Sequence, residues 1–542
     1  MGMREMPGSA KIQHHLSIID RLLLLLLVLL ASVYLFYGAA SGQPDIQGSR
    51  NSALQQAHTS ALVSPTAKAA TPSPSPTPQA PLAPPSHVPL IPQIGPGDWP
   101  GYLLDNSSYN ASEVRITSAT ISALRLMWTA HAQGSVTAQP VVVDNVVYWG
   151  SWDGYEHATS VDGQRIWSTY LGVDSDAADG CDPDSAGVAS TATIAPLTIN
   201  GKAVLADLVG GGDASLYALN AANGHILWKT TLGVMPADFI WDSPALYDGS
   251  IYIGISSFGD CPSVQGKLFQ LQASTGAVQN VFNIVPDGCQ GGTQWGSPAI
   301  DEGTGELYIA TGNLGSCASN EPFAMALVEL HASTLQVAGA WQVPQSGVVG
   351  DGDGDFGSTP TLFSATINGV MHQMVGSINK NGIFYAFERG SVSNGPVWQD
   401  QIATGPNCST CDGAGTIAPA AWDGAWLYMG GGFTTINGQF CQGSLRALDP
   451  ANGHYIWEHC LEDARSMAPL AVVPGVVVVG EGHYVTAVDA RTGETLFVFT
   501  DAHAGSIFYG APSIAHAMLF IGNMDGNLYA FKYAITGSLQ PD

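Results

Sequence analysis

A turn glycine followed a few residues later by an aromatic side chain recurs along this chain, and that repeat restricts the fold more than any other feature. It appears as SVDGQRIW ending at Trp167, NAANGHILW at Trp228, QASTGAVQNVF at Phe282, SVSNGPVW at Trp398, DPANGHYIW at Trp457 and DARTGETLF at Phe497, with a longer variant, HASTLQVAGAW, ending at Trp341. The turn glycines Gly163, Gly224, Gly276, Gly395, Gly453 and Gly493 are 61, 52, 119, 58 and 40 residues apart, and the 119 covers two repeats because it spans the variant. Between these signals lie short runs of alternating apolar and polar residues such as VVVDNVVYWG, broken by NG, DG and TG turns. A period of this size built from such runs describes four-stranded antiparallel units that bury their faces against one another.

Seven units are complete, and the eighth is divided between the ends of the repeat region. LYAFKY at 528–533 lacks its aromatic strand, while LRLMW, ending at Trp128, is such a strand without predecessors. If the early strand completes the last unit, the ring closes and no sheet edge is left to recruit another chain. The expected fold is therefore all-β, an eight-bladed β-propeller of four-stranded antiparallel blades over 99–535, with a short tail at 536–542.

Three segments precede the propeller. Leu22 to Ala40 is a run of 19 residues without charge, preceded by Arg4, Lys11 and Arg21. At about 1.5 Å per residue it reaches roughly 28 Å, enough for the hydrocarbon layer. The basic leader at 1–21 places the N-terminus in the cytoplasm and the rest outside. The expectation is a retained transmembrane signal anchor; a cleaved signal, using the small residues from Gly38 to Gly42, is the rival and would give a secreted protein. From 41 to 98 the composition shifts to Ala, Ser, Thr and Pro, with TPSPSPTP at 71–78, which describes a disordered stalk.

With 44 acidic against 17 basic side chains, a net charge of -27 excludes nucleic acid as a partner on electrostatic grounds. Eight cysteines, all beyond the apolar run, indicate an oxidising compartment. The repeat register favours disulfides Cys261–Cys289 and Cys441–Cys460, each joining a second-to-third connection to the exit of its own blade, and a tight Cys408–Cys411 loop. Gly352, Gly354 and Gly357 form a literal G-x-G-x-x-G, but no helix pattern follows and carboxylates stand between the glycines, so a dinucleotide site is discounted.

The chemistry concentrates between Gly291 and Lys380. Trp295 and Asn313 are 18 positions apart and Asp355 lies 42 beyond Asn313, within the strings GGTQW, YIATGN and DFGS; INKNG supplies Lys380. In a four-stranded blade the second-to-third connection and the exit share one face, so these four residues converge near the central channel. The spacings and strings resemble the quinoprotein alcohol dehydrogenases, propellers docked by tryptophans that carry pyrroloquinoline quinone (PQQ) and calcium. The resemblance covers about residues 124–535, and the DFGSTP string looks closest to polyvinyl-alcohol dehydrogenase-like proteins.

That resemblance implies a role for each position. Trp295 corresponds to the floor under PQQ, Asn313 to a calcium-ligating amide, Asp355 to the catalytic base and a calcium neighbour, and Lys380 to the cation by the quinone oxygens. The family's second calcium-ligating carboxylate has Asp260 as its one counterpart, a position out of register, and Gly180 stands where the family has the first of two adjacent cysteines, before Cys181. The implied activity is oxidation of an alcohol or hydroxylated polymer, with electrons passed to an external acceptor because no haem-attachment motif is present. The alternative is a propeller of the same ancestry that serves as a non-catalytic binding or assembly scaffold at the cell surface.

Overall fold

The structure is a computed structural model and describes residues 94–175, 183–259, 262–344, 354–404, 416–461, 463 and 466–533. The expected leader, the expected anchor over 22–40, most of the expected stalk and the expected tail lie outside these residues. Among the described residues no helix is long and apolar enough to cross a membrane.

Eight antiparallel sheets follow one another in chain order: blades 1 (141–170), 2 (193–231), 3 (245–283), 4 (299–342), 5 (361–401), 6 (421–461), 7 (471–500) and 8 (513–533). The last has three strands of its own, and Leu124–His131 supplies the fourth by pairing antiparallel with Asn527–Tyr533, Trp128 facing Ala530. The ring closes as the split repeat requires. Second strands, covered on both faces by neighbouring blades, are buried along their length, as in Val476–Glu481. Outer strands alternate with solvent, as in Thr495–Thr500. The β-branched and aromatic residues that fill these strands suit both settings.

Five of the repeated tryptophans tie their blade to the next by a hydrogen bond. Indole N–H groups donate across the interface from Trp128 to the Val161 carbonyl (2.9 Å), Trp167 to Ala221 (2.9 Å), Trp228 to Ala273 (3.1 Å), Trp398 to Pro450 (2.9 Å) and Trp457 to Ala490 (2.9 Å). The recurring glycine has two causes at once. Gly224 has φ +71°, a left-handed value that favours glycine, and a Cβ there would come within 2.7 Å of the Trp167 ring. The variant turn of blade 4 adopts the same backbone region with Leu335 (φ 55°).

A second set of ties runs around the channel at the start of the inner strands. The Gln139 N–H donates to Thr191 Oγ1 (2.8 Å), Thr191 N–H to Ser243 Oγ (2.9 Å), Ser243 N–H to Ser297 Oγ (2.9 Å) and Ser297 N–H to Thr359 Oγ1 (2.9 Å), each hydroxyl belonging to the following blade. Further along the inner strands, residues 99–110 cross the channel edges of six blades. Trp99 pairs with Val142, Ile194 N–H donates to Pro100, Asn106 Nδ2 donates to Pro360, Trp422 N–H donates to Ser107, Asn110 N–H donates to Val472, and Asn110 Nδ2 donates to Ile514. The same segment reaches the ring at the inner-strand starts, where the Leu103 N–H donates to Gln139 Oε1 (2.8 Å).

The expected Cys441–Cys460 disulfide is present. The expected Cys261–Cys289 pairing is corrected: Cys289 is bonded to Cys317. The exit loop of blade 3 packs against the second-to-third connection of blade 4, so the bridge crosses between blades instead of closing within one. Cys181, Cys261, Cys408 and Cys411 lie outside the described residues.

Candidate functional site

Three local devices bring the site residues together. Trp295 stands just before the inner strand of blade 4, in a stretch whose neighbours on both sides, Gly291–Gln294 and Gly296–Ala299, are buried while the indole itself is half-buried. Asp355 occupies the corresponding lead-in to blade 5, and its backbone is held by Phe356 N–H on the Thr311 carbonyl (3.2 Å) and Lys380 N–H on its own carbonyl (3.0 Å). Lys380 is presented by two successive Asn turns: Asn379 Oδ1 accepts Asn381 N–H (2.9 Å) and Asn381 Oδ1 accepts Ile383 N–H (2.9 Å). Asn379 Nδ2 donates to the Gly354 carbonyl (2.7 Å), tying that turn to the segment ahead of Asp355.

The side chains then meet. Lys380 Nζ is 2.9 Å from Asp355 Oδ1, and the Trp295 indole N–H donates to Asp355 Oδ2 at 3.1 Å. Lys380 Nζ also lies 4.9 Å from the Trp295 ring centroid, a cation–π contact. Asn313 Oδ1 accepts the Gly354 N–H at 3.3 Å, which places it against the same lead-in. All four residues singled out in the sequence therefore form one constellation. Asp260 lies outside the described residues.

Burial sets the electrostatics. The Asp355 and Lys380 side chains are only 5% and 13% exposed, so their attraction is weakly screened. An ammonium and an indole N–H, one on each oxygen, favour the ionised carboxylate. Phe356, by contrast, is fully buried, 6.3 Å from the Tyr385 ring, and belongs to the packing between blades 4 and 5. Burial raises the Tyr385 hydroxyl, and its bond with Asn381 partly offsets this.

Sequence reasoning overlooked the Asn379 and Asn381 turns and the contact of Gly357 with Trp295. Any Cβ at Gly357 would overlap the Trp295 ring, so the glycine of DFGS is required by the indole 62 positions earlier. The NKNG string was the available signal for the turns, since alternating Asn around Lys ahead of Gly is turn chemistry.

The donor chemistry can be tested against the implied groups. The Trp295 ring is flat and half-buried with Lys380 Nζ over it, and an indole face is a surface on which a planar group can stack. Asn313 Oδ1 and the Asp355 carboxylate are hard oxygens of the class calcium takes. Among the described residues, the one group of three metal-capable side chains is Cys289, Cys317 and Glu321, and its sulfurs are bonded to each other.

Comparisons with known proteins agree with this architecture. Residues 363–539 match the family described as outer membrane protein assembly factor BamB. Over 467 residues the chain is 25% identical to a polyvinylalcohol dehydrogenase of Sphingopyxis sp. (strain 113P3), covering 75% of this chain and 67% of that one. It is also 25% identical over 338 residues to the quinohemoprotein alcohol dehydrogenase ADH IIB of Pseudomonas putida, covering 54% of this chain and 46% of that protein. Among solved structures, the quinohemoprotein alcohol dehydrogenase from Comamonas testosteroni superposes with a TM-score of 0.61 at 19% identity, over 82% of this chain and 83% of that one. A europium-containing methanol dehydrogenase gives 0.64 at 16% identity, over 81% and 98%. At such identities the structural likeness is one of fold.

Proposed function

We propose that this chain, a PQQ-type, quinoprotein alcohol dehydrogenase-like eight-bladed propeller, binds PQQ over Trp295 beside a calcium ion and oxidises the hydroxyl group of an alcohol or hydroxylated polymer. The observation that carries the proposal is Asp355 held between the Lys380 ammonium at 2.9 Å and the Trp295 indole N–H at 3.1 Å. When bound, the quinone supplies the hydride acceptor and the calcium the charge that polarises it.

The chain's own residues do the rest. The Trp295 ring is the floor on which a planar group stacks. Asn313 Oδ1 and Asp355 are the oxygen ligands this part of the chain offers a cation, with Asp260 a further candidate. Asp355 takes the substrate hydroxyl proton as hydride leaves the carbon, and Lys380 holds that carboxylate in place at 2.9 Å. Electrons leave to an external acceptor. We also propose that the apolar run at 22–40 anchors the chain in the membrane with the propeller on the extracytoplasmic side; disulfides in the folded domain support an oxidising location.

The competing reading, a scaffold without cofactor, draws on the same ion pair, because Asp355 and Lys380 already satisfy one another. Calorimetric titration of the purified protein with PQQ, with and without calcium, separates the two. Calcium-dependent binding at micromolar concentration together with dye-linked alcohol oxidation supports the enzyme, and its absence supports the scaffold. Asp355→Asn is expected to retain PQQ and lose roughly 100- to 10,000-fold in turnover; near wild-type turnover with cofactor bound would move the base elsewhere.

A further inference from the structure

We propose that Glu321 and the Cys289–Cys317 disulfide are positioning residues that lock the Trp295 segment and the Asn313 segment into one unit, and so set the affinity of the cofactor site. The proposal rests on the function proposed above, since it concerns what those two segments hold.

The two segments come from different blades. Residues 289–295 leave blade 3, whereas residues 311–317 connect the second and third strands of blade 4. They run side by side and exchange backbone bonds: Gly292 N–H donates to the Asn313 carbonyl (2.8 Å), Gly312 N–H to Thr293 (2.8 Å) and Ser316 N–H to Gln290 (3.0 Å). Gln290 N–H returns a bond to Ser316 Oγ (2.9 Å). Asn313 is thus held by the residue three positions before Trp295. The approach is so close that a Cβ on Gly291 would fall 2.6 Å from the Gly315 backbone nitrogen.

This ladder is short and ends at the surface, where Ser316 and Ala318–Asn320 are exposed. Short loop ladders of this kind open locally unless something closes the far end. Two features do so here. The disulfide joins residues 28 apart at the outer end of the ladder, four positions from Asn313 and six from Trp295. Beneath it Glu321, 2% exposed, accepts Gly315 N–H at 2.6 Å and Cys317 N–H at 2.8 Å, one amide on each oxygen. The Glu321 carbonyl accepts Gln342 Nε2 at 2.9 Å, which fastens this support to the outer strand of blade 4. The carboxylate is spent on backbone donors and the sulfurs on each other, so the cluster acts as a brace and not as a second metal site.

The strands of blade 4 pair through Glu306–Ala310 and Ala326–His331 independently of the brace. Its loss is therefore expected to loosen the site more than the fold. Outer residues that orient ligands typically control metal affinity by about 10- to 100-fold.

The test uses the full-length protein and three alterations: Cys289→Ser with Cys317→Ser, Glu321→Gln, and reduction of the folded wild type by dithiothreitol. In that reduction the Sγ–Sγ bond breaks to two thiols while the dithiol closes to its cyclic disulfide. Cys441→Ser with Cys460→Ser is the control for the other described bridge. In the apo protein, amide hydrogen exchange of peptides covering 289–295 and 311–317 is expected to accelerate at least about tenfold, with 476–489 unchanged. Titration with PQQ at graded calcium is expected to give a Kd raised about 10- to 100-fold, rescued by excess calcium, with kcat at saturation close to wild type. Unchanged exchange in both segments overturns the brace. So does an unchanged Kd accompanied only by a lower unfolding temperature, which is what a purely structural bridge would give. If wild type binds no PQQ, the proposed function fails and the exchange measurement alone decides the brace.

Discussion

Replacing Lys380 with methionine isolates the interaction on which the candidate site turns. The pair is 2.9 Å apart with side chains 13% and 5% exposed, so the attraction at an effective dielectric near 20 is about 6 kcal/mol before desolvation is subtracted. Removing one partner of such a pair leaves the other charge in a poorly hydrated place and typically costs about 3 to 5 kcal/mol. Lys380→Met is expected to lose stability in that range, and Asp355→Asn a comparable amount because the ammonium then lacks this carboxylate. The double variant should lose less than the sum by about 3 kcal/mol, since no isolated charge remains. The assay is a double-mutant cycle by denaturant unfolding of the four proteins, with the Trp457→Ala variant described below as an unrelated reference. Additivity within about 0.5 kcal/mol would show that the two charges are separately solvated, and the account of Asp355 as a carboxylate held ionised by Lys380 would fail.

Other outcomes follow from the same geometry. Glu156 and Asp207 are fully buried; burial pushes the Asp207 carboxyl up to about 8, and burial together with the Asp207 charge raises Glu156 well above its ordinary range. The unfolded chain releases both protons near pH 4 while the folded one retains them, so stability falls as pH rises from 4 towards 8, by about 1.4 kcal/mol per pH unit for each retained proton; thermal scans across that range should flatten in Glu156→Gln/Asp207→Asn, and an unchanged slope would refute the assignment. Gly357→Ala forces a methyl into the Trp295 ring and is expected to cost about 1 to 3 kcal/mol and to weaken PQQ binding by calorimetry. Trp457→Ala removes a ring that is 9% exposed and its bond to Ala490, costing about 3 to 5 kcal/mol by denaturant unfolding with the PQQ site intact.

What the sequence alone determined is the part of this protein governed by local rules. Period-2 alternation and turn glycines are properties of neighbouring residues, so seven blades, the split eighth and the docking tryptophans could be read from the strings themselves. The convergence of Trp295, Asn313, Asp355 and Lys380 was legible for the same reason, because the strand register fixes which connections share a face. What only the tertiary structure decided depends on distances between residues far apart in the chain. Cys289 could be placed at a blade exit, yet its partner is Cys317 in the next blade, because packing between repeats is not encoded within one repeat. The ring of hydroxyls from Thr191 to Thr359 and the passage of residues 99–110 across six blades arise similarly, from groups that meet only once the sheets are arranged around a channel. The site itself shows the division most clearly. Spacing singled out Asp355, but the fold alone put an ammonium on one of its oxygens and an indole N–H on the other, and that environment governs the charge it carries.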